Sequence, residues 1–272
     1  MIPLAGRPII ITGASSGIGR ATALACAAEG MPVAVLARRA ERLADLIGQI
    51  ESSGGRAIAV AGDVTQPADC ERLVEQCLEA FGSVYGVFAC AGFGQQSAVH
   101  EVSESDLRAI FETNFFGSLN VIRPALEPML EAGGGHVLMC SSCLSKISIP
   151  WYAPYCATKA CQNIFGRAMR IELRGRGVHV STIHPAGTRT ELFDVMRDRS
   201  DEELITDLSP DRFMQTPERV ARAVISCLRR PRAEVWTRPT LRAALVLGDL
   251  VPRLTDALLA RQIARARARL DQ

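Results

Sequence analysis

Short apolar runs alternate with segments of helical periodicity along most of this chain of 272 residues. Each run is apolar almost throughout, which indicates strands that are buried on both faces. Strands that are regularly followed by helices form parallel sheets, because each helix carries the chain back across one face of the sheet. The pattern therefore predicts an α/β fold, a doubly wound parallel sheet with helices on both faces.

Six strands and six helices follow from this pattern. The predicted strands cover residues 8–12, 32–37, 57–61, 84–89, 136–140 and 178–184. The predicted helices cover residues 17–29, 40–52, 67–81, 103–130, 155–173 and 216–229, the last with Thr216 as N-cap and Pro217 at N1. We expect one domain with this doubly wound Rossmann fold over residues 1–235 and a C-terminal helical extension over residues 236–272.

Two segments lie outside the alternation. Residues 191–211 are charged and mixed in character, which is typical of a mobile lid over a cleft. Residues 238–270 are amphipathic, and from Arg229 to Gln272 ten arginines stand against four acidic residues. We interpret this Arg-rich stretch as a solvated helix or a subunit contact, and contact with a membrane surface is the alternative.

Charge and composition exclude several classes of protein. The formal net charge is only +2, which argues against a general nucleic-acid binder. No apolar run reaches the ~18–20 residues of a membrane span. Nine cysteines and no visible export signal predict reduced thiols and a cytoplasmic location. Cys140 and Cys143 fit a C-x-x-C spacing but are interpreted as small apolar residues at a strand end, and the scattered histidines predict no metal site.

A glycine-rich turn joins the first predicted strand to the first predicted helix. It reads T-G-A-S-S-G-I-G and places glycine at positions 13, 17 and 19. Glycines permit a tight turn, and the helix N-terminus then offers free N–H groups to a pyrophosphate. The same residues match the G-x-S-x-G elbow of an α/β-hydrolase with Ser15 as nucleophile. That alternative leaves Gly19 unexplained and has no preceding chain to build an oxyanion loop.

Two arginines follow the second predicted strand. A dinucleotide fold that prefers NAD places an acidic residue near this point to bind the ribose 2′-hydroxyl. Here the strand ends at Ala37 and is followed by Arg38 and Arg39. Since a guanidinium group suits a 2′-phosphate, the sequence predicts NADP(H) as the cofactor.

Lysine is almost absent from the chain. Of 31 Lys and Arg residues, only Lys146 and Lys159 are lysines. Lys159 stands four residues after Tyr155, a spacing that places both on one face of a helix. A nearby ammonium lowers the pKa of a phenol, so Tyr155 could exchange a proton near neutral pH, as an alcohol–ketone interconversion requires.

With the glycine loop, Asn114, Ser142, Tyr155 and Lys159 in this order, the chain resembles the short-chain dehydrogenase/reductase superfamily. The resemblance covers about residues 7–190 and extends loosely to about residue 230. Cys90 replaces the Asn of the family's N-A-G segment, which puts the local stability of the sheet edge in doubt. The resemblance implies these cofactor-binding residues: Gly13, Ser15, Ser16, Gly17, Ile18, Gly19, Arg38, Arg39, Asp63, Val64, Ala91, Gly92, Tyr155, Lys159, Pro185, Gly187, Thr188 and Thr190.

The resemblance also implies four catalytic roles. Tyr155 is the general acid for ketone reduction or the base for alcohol oxidation. Lys159 lowers the pKa of Tyr155 and binds the nicotinamide ribose, and Ser142 hydrogen-bonds the substrate oxygen. Asn114 holds a water that links Lys159 to solvent. The family commonly pairs through the long helices, here residues 103–130 and 155–173, which implies a homodimer or homotetramer.

The expected substrate is a hydrophobic small-molecule carbonyl or secondary alcohol. This expectation rests on the mostly apolar residues predicted to line the cleft, which are Phe93, Leu144, Trp151, Tyr152, Leu192, Phe193 and Met196. The alternative to an enzyme is a regulator that binds NADP(H) and has lost the chemistry. The four filled catalytic positions argue against that alternative.

Overall fold

The computed structural model describes residues 1–198 and 214–270 of the chain. Its centre is a seven-stranded sheet in the order β3-β2-β1-β4-β5-β6-β7, and every pair of neighbouring strands is parallel. The doubly wound parallel sheet predicted from the sequence is therefore confirmed. The strands are β1 Ile9–Thr12, β2 Val33–Ala37, β3 Ala57–Ala61, β4 Gly86–Ala89, β5 Gly135–Cys140, β6 Val178–His184 and β7 Glu234–Trp236.

Helices cover both faces of this sheet. They are α1 Gly17–Ala28, α2 Ala40–Ser52, α3 Pro67–Phe81, α4 Glu104–Phe111, α5 Gly117–Glu131, α6 Ala153–Glu172, α7 Leu192–Asp198, α8 Pro217–Arg229, α9 Pro239–Leu250 and α10 Pro252–Leu270. In the part of the chain that the structure describes, none of them has the length and apolar character needed to cross a membrane. Of the segment predicted as a lid, residues 192–198 form α7, and residues 199–211 lie outside the described residues.

The apolar strands supply two hydrophobic layers, one on each side of the sheet. Successive strand side chains point to opposite faces, so Ile9 and Ile11 pack toward α1 and α8 while Ile10 packs toward α3 and α5. All three isoleucines are fully buried. Burying an aliphatic side chain of this size contributes about 1.5–3 kcal/mol relative to leaving it exposed. Every residue of β1, β2, β4 and β5 is buried, which explains these near-continuous apolar runs, whereas in the edge strand β3 only Val60 is buried.

The strand order reverses direction between β1 and β4. From β1 the chain first builds outward to β2 and β3, and it then returns to place β4 on the other side of β1. The loops that leave the carboxyl ends of β1 and β4 therefore diverge and open a crevice between them. This crevice is the place where a doubly wound sheet binds its ligand.

Three elements differ from the sequence-based prediction. The helix predicted over residues 103–130 is divided into α4 and α5 by a π-helical turn at Glu112–Phe116. The short edge strand β7 was not predicted, because three residues with one buried side chain give no periodic signal. The stretch predicted as one amphipathic helix over residues 238–270 forms two helices, α9 and α10. Pro252, which lies at N1 of α10, cannot continue the hydrogen bonds of α9.

Two buried histidines make the stability of the fold depend on pH. Burial lowers the pKa of His136 to about 3 and, because His184 is also buried, lowers its pKa to about 4. The unfolded chain protonates both near the ordinary value of about 6.5. Below that value the unfolded state binds more protons than the folded state, so acidification favours unfolding.

We therefore expect the free energy of unfolding to fall as the pH is lowered from about 6.5 to about 4, by up to about 1.4 kcal/mol per pH unit for each histidine. Urea unfolding at several pH values measures this dependence. His136→Gln should flatten the dependence, while His100→Gln, which changes an exposed histidine, should leave it unchanged. Equal slopes for the wild type and the His136 variant would contradict the assignment.

Candidate active site

A cleft of about 390 Å³ opens at the carboxyl ends of the central strands. Its size lies within the range of small-molecule sites. The structure brings together in its walls every residue predicted to bind the cofactor, together with Ser142. Asn114 is placed behind the wall, and its neighbour Thr113 lines the cleft instead.

The glycine turn after β1 is shaped by close approaches that exclude a side chain. Gly13 has φ +69°, and a Cβ there would lie 2.8 Å from Ala91 Cα. Gly17 has φ +54°, and a Cβ there would lie 2.9 Å from Thr190 Cγ2. The first N–H groups of α1 border the same cleft, and free N–H groups at a helix N-terminus favour an anion. The glycine turn and the first turn of α1, together called the glycine cradle, therefore fit the pyrophosphate of a dinucleotide.

Arg39 ties the glycine turn to the segment that follows β6. Its guanidinium donates hydrogen bonds to Ser15 Oγ at 2.8 Å, to Ser16 Oγ at 3.0 Å and to Glu191 Oε2 at 2.8 Å. Arg42 also pairs with Glu191, and the two arginines hold the pKa of that carboxyl below its usual value. Ser15 is thus bonded to a permanent cation, which cannot act as the base that a hydrolase nucleophile needs.

The wall after β4 is held by backbone hydrogen bonds. Thr12 Oγ1 accepts from the N–H of Cys90 at 3.1 Å and from that of Ala91 at 3.2 Å. These bonds steady the segment in which Cys90 replaces the family's Asn. Across the cleft at the end of β3, Asp63 accepts from the N–H of Thr65 at 3.0 Å.

The loop after β6 is anchored by a residue that sequence reasoning missed. The buried side chain of Gln215 donates to Ala186 O at 3.2 Å and to Thr188 Oγ1 at 3.1 Å, and its backbone N–H donates to Gly187 O at 2.8 Å. Pro185 O accepts from the N–H of Cys143 at 3.0 Å. The residues of this loop are thereby fixed at the edge of the cleft.

Tyr155, Ser142 and Lys159 converge on the cleft as their spacing predicts. Tyr155 and Ser142 both line the cleft, and Ser142 acts to lower the pKa of the Tyr155 phenol. One helical turn along α6, the Lys159 ammonium lies 5.6 Å from the centre of the Tyr155 ring. His184 holds the backbone of Ser142 in place, since its Nδ1 lies 3.0 Å from Ser142 O.

The electrostatic effect on Tyr155 differs from the expected one. Burial raises the pKa of the Tyr155 phenol above its ordinary value, although Ser142 acts in the opposite direction. The expected lowering by Lys159 does not prevail, because the desolvation of a phenolate outweighs it. Tyr155 therefore holds its proton at neutral pH, which suits a proton donor.

The side chain of Asn114 hydrogen-bonds to Phe93 and Thr158 behind the cleft wall. Its Nδ2 donates to Phe93 O at 2.9 Å and to Thr158 Oγ1 at 3.2 Å, and its Oδ1 accepts from the N–H of Phe93 at 2.9 Å. A Cβ on Gly92 would lie 2.9 Å from the same Oδ1. The side chain thus braces the segment after β4, and its role in holding a water beside Lys159 stays a prediction.

Lys159 has a partner that the sequence analysis overlooked. Its Nζ donates to Cys140 O at 2.7 Å and to Gln162 Oε1 at 3.0 Å. Gln162 stands three residues after Lys159, and this spacing on α6 was the signal available in the sequence. Burial lowers the pKa of Lys159 from its ordinary value.

The thiols of Cys140 and Cys90 shift each other's pKa, whereas Cys143 does not take part in this interaction. The hydrogen bond with the Cys90 thiol lowers the pKa of Cys140. Burial raises the pKa of Cys143 to about 11, so that this thiol is not reactive. Among the described residues, no group of three His, Cys, Asp or Glu side chains could hold a metal ion.

The far end of the cleft is mostly apolar. Six of the seven residues predicted to line it do so, namely Phe93, Leu144, Tyr152, Leu192, Phe193 and Met196. Trp151 does not belong to the lining, and it has a positive φ of 64°. Ile149 and Val195, which were not predicted, complete the wall.

Known proteins share both the sequence pattern and the fold. The family model described as short chain dehydrogenase matches residues 7–201. An A-factor type gamma-butyrolactone 1'-reductase (1S-forming) of Streptomyces virginiae is 35% identical over 242 residues, which cover 88% of this chain and 94% of the relative.

Two solved structures superimpose over most of their length. A short-chain dehydrogenase/reductase of Burkholderia phymatum in complex with NAD is 27% identical, with a TM-score of 0.84 and coverage of 94% of this chain and 97% of that one. An alcohol dehydrogenase of Thermococcus sibiricus complexed with 5-hydroxy-NADP is 27% identical, with a TM-score of 0.74 and coverage of 85% and 95%.

One of these neighbours is in complex with NAD, and the other is complexed with 5-hydroxy-NADP. The neighbours do not share a choice between NAD and NADP. The family model covers more than half of the chain, and the sheet order and the glycine turn agree with it. The chain belongs to the short-chain dehydrogenase family, and it is an oxidoreductase that acts on alcohol or carbonyl groups with a nicotinamide cofactor.

Proposed function

We propose that this protein is an NADP(H)-dependent oxidoreductase that interconverts a carbonyl and a secondary alcohol on a hydrophobic small molecule. The observation that carries the proposal is that Tyr155, Ser142 and Lys159 line the same cleft as the glycine cradle. A proton donor and a nucleotide site in one cleft are what a hydride-transfer enzyme needs.

Each catalytic side chain has a distinct task in this mechanism. The bound nicotinamide supplies or accepts the hydride. In the reducing direction the Tyr155 hydroxyl donates its proton to the carbonyl oxygen, and Ser142 donates a hydrogen bond to the charge that develops there. Lys159 holds its ammonium one helical turn from Tyr155, where it favours the phenolate that remains after proton transfer. In the oxidising direction the same phenolate takes the proton of the alcohol.

The preference for NADP(H) is supported by charge at the end of β2. Arg38 and Arg39 both line the cleft, and Arg39 lies within hydrogen-bond distance of the glycine turn. Glu191 is neutralised by Arg39 and Arg42. The local charge therefore favours a 2′-phosphate, which a guanidinium binds with charge-assisted hydrogen bonds.

Arg38→Ala is expected to weaken NADPH binding by about tenfold to a hundredfold, the range for a charge-assisted hydrogen bond, while NADH binding changes little. Titration of nicotinamide fluorescence measures both affinities. Arg72→Ala, on α3, provides a control that removes an arginine outside the cleft. An equal loss for both cofactors would show that the 2′-phosphate is recognised elsewhere.

The substrate class is supported by the apolar end of the cleft. Leu144, Leu192, Phe193 and Met196 offer contact area and no charge to a ligand. A bulky apolar ketone or alcohol gains most from such a surface. The butyrolactone reductase of Streptomyces virginiae is a relative whose name states a reaction of this type.

A panel of ketones and aldehydes tests the function directly. Oxidation of NADPH is followed by its absorbance, and binding of NADPH is measured in parallel. Turnover of an apolar ketone is expected. Binding of NADPH without turnover of any carbonyl would favour the regulator, and hydrolysis of an ester without cofactor would favour the hydrolase.

Assembly into a homodimer or homotetramer remains a prediction. The helices proposed to pair expose large apolar side chains, among them Phe116, Ile164 and Phe165. The helices α9 and α10 also expose Leu247 and Leu258, respectively, which keeps contact with a membrane surface open as an alternative for the C-terminal extension. Light scattering measures whether the chain forms a homodimer or homotetramer. Sedimentation with lipid vesicles measures whether the C-terminal extension binds a membrane surface.

A further inference from the structure

Gln162 forms a buried bridge between the lysine of the active site and the π-helical turn. Its Oε1 accepts from Lys159 Nζ at 3.0 Å. Its Nε2 donates to Asn114 O at 2.7 Å and to Ser118 Oγ at 2.7 Å. The side chain is fully buried, so a glutamine at this position is tolerated only because these bonds satisfy both ends of its amide.

The partners fix the orientation of the Gln162 amide. The Asn114 carbonyl can only accept a hydrogen bond, so it requires the NH₂ end of Gln162. The Lys159 ammonium can only donate, so it requires the carbonyl end. A flipped amide would place donor against donor and acceptor against acceptor. The bridge therefore has one stable arrangement.

This arrangement in turn fixes the Lys159 ammonium. An ammonium has three N–H groups, and two of them are directed to Cys140 O and Gln162 Oε1. The two acceptors come from β5 and from α6, so they hold Nζ from two sides. A Cβ on Gly92 would lie 3.7 Å from Nζ, which shows that the ammonium faces the cleft floor at Gly92. The third N–H is thus available to the cleft.

We propose that Gln162 is a positioning residue that holds the Lys159 ammonium toward the cleft and stabilises its charged form. The bridge links the Lys159 ammonium to the Asn114 carbonyl of the π-helical turn. This inference rests on the proposed role of Lys159 beside Tyr155.

Lysine titration tests the inference without any need for activity. Because Lys146 and Lys159 are the only lysines, protein made with lysine carrying ¹³C at Cε gives two lysine signals. Lys146→Arg assigns them. The pKa of each ammonium follows from the chemical shift of its Cε between neutral and alkaline pH, in a range where the amide spectrum shows the fold intact.

Two substitutions are expected to move the pKa of Lys159 in opposite directions. Gln162→Met removes the acceptor at similar volume, so the ammonium loses a charge-assisted hydrogen bond and its pKa falls by about one unit. Gln162→Glu places a carboxylate oxygen beside Nζ, so the pKa rises by about one unit or more, although the second oxygen loses the hydrogen bond to Asn114 O and can only accept, for example from Ser118 Oγ. The Lys146 signal should not change in either variant. The basic limb of the pH profile of kcat/KM should move in the same directions.

A merely structural role for Gln162 predicts a different outcome. Ser181→Ala serves as a control for stability. It removes a buried hydroxyl that hydrogen-bonds to His136 and to Arg232 O on the side of α8, so it should destabilise the fold to an extent similar to the Gln162 variants. We expect this control to lower the Tm without moving either lysine signal. If Lys159 titrates at the same pH in the wild type and in both Gln162 variants, the inference is overturned.

The two possible failures remain distinguishable. A chain that turns over no carbonyl, but whose Lys159 signal responds to Gln162, would refute the proposed function and retain the bridge. A chain that reduces ketones, but whose Lys159 signal ignores Gln162, would refute the bridge alone. If Gln162→Met does not fold, Gln162→Glu, which preserves the shape of the side chain, still decides the question.

Discussion

Replacing Tyr155 with Phe is expected to lower kcat by about a hundredfold to ten-thousandfold, the range of a general acid's contribution. The substitution removes the only hydroxyl that is proposed to donate the proton. The Phe ring retains the packing of the phenol. NADPH should therefore bind nearly as tightly as before, and single-turnover reduction of an apolar ketone measures the loss.

Tyr152→Phe provides the matched control. Tyr152 lies in the wall of the same cleft, is buried, and accepts a hydrogen bond from Gln96. Loss of the Tyr152 hydroxyl should affect substrate binding more than kcat, because Tyr152 is not the residue proposed to donate the proton. If Tyr155→Phe retained near-normal turnover, another group would have to be the proton donor, and the mechanism would be wrong.

Replacing Lys159 with Arg is expected to lower kcat/KM by about a hundredfold or more, although the charge is retained. Lys159 is only 4% exposed, and its ammonium is held between Cys140 O and Gln162 Oε1. A planar guanidinium is wider than this site, so it would push apart the end of β5 and α6. Overpacking of this kind typically costs about 1–3 kcal/mol in stability.

Lys146→Arg is the natural comparison, since it changes the chain's other lysine. The side chain of Lys146 is 29% exposed, and its Nζ lies 3.5 Å from Glu234 Oε1. An arginine can therefore replace Lys146 without crowding. We expect wild-type kcat/KM and Tm for this variant. Equal activity of the two Arg variants would show that the ammonium at position 159 has no specific role.

The sequence was sufficient for the parts of the site that depend on local spacing. Tyr155 and Lys159 share a helix face because the period of a helix is fixed, whatever surrounds it. The turn at Gly13 and Gly17 requires a positive φ, which glycine adopts without strain. The near-continuous apolar strands predicted a sheet that is buried on both faces, and the structure has such a sheet.

The sequence was not sufficient for properties that sum over distant segments. The pKa of Tyr155 is set mainly by burial, and the elements that bury it come from several parts of the chain. The thiol that affects Cys140 is that of Cys90, which directly follows β4, and the register pairs Ala89 with Met139, the residues that precede the two cysteines. Trp151 was expected in the cleft, but its place depends on a loop conformation that no periodicity describes.

The sequence by itself determined the fold class, the nucleotide cradle and the pairing of Tyr155 with Lys159, because helix period, strand burial and glycine conformation are local properties of the chain. Only the tertiary structure decided how those groups are tuned. It raised the pKa of Tyr155, committed Asn114 to Phe93, and placed Gln162 against Lys159. Such effects depend on solvent exclusion and on contacts between segments far apart in sequence, so they are fixed only once the whole fold has formed.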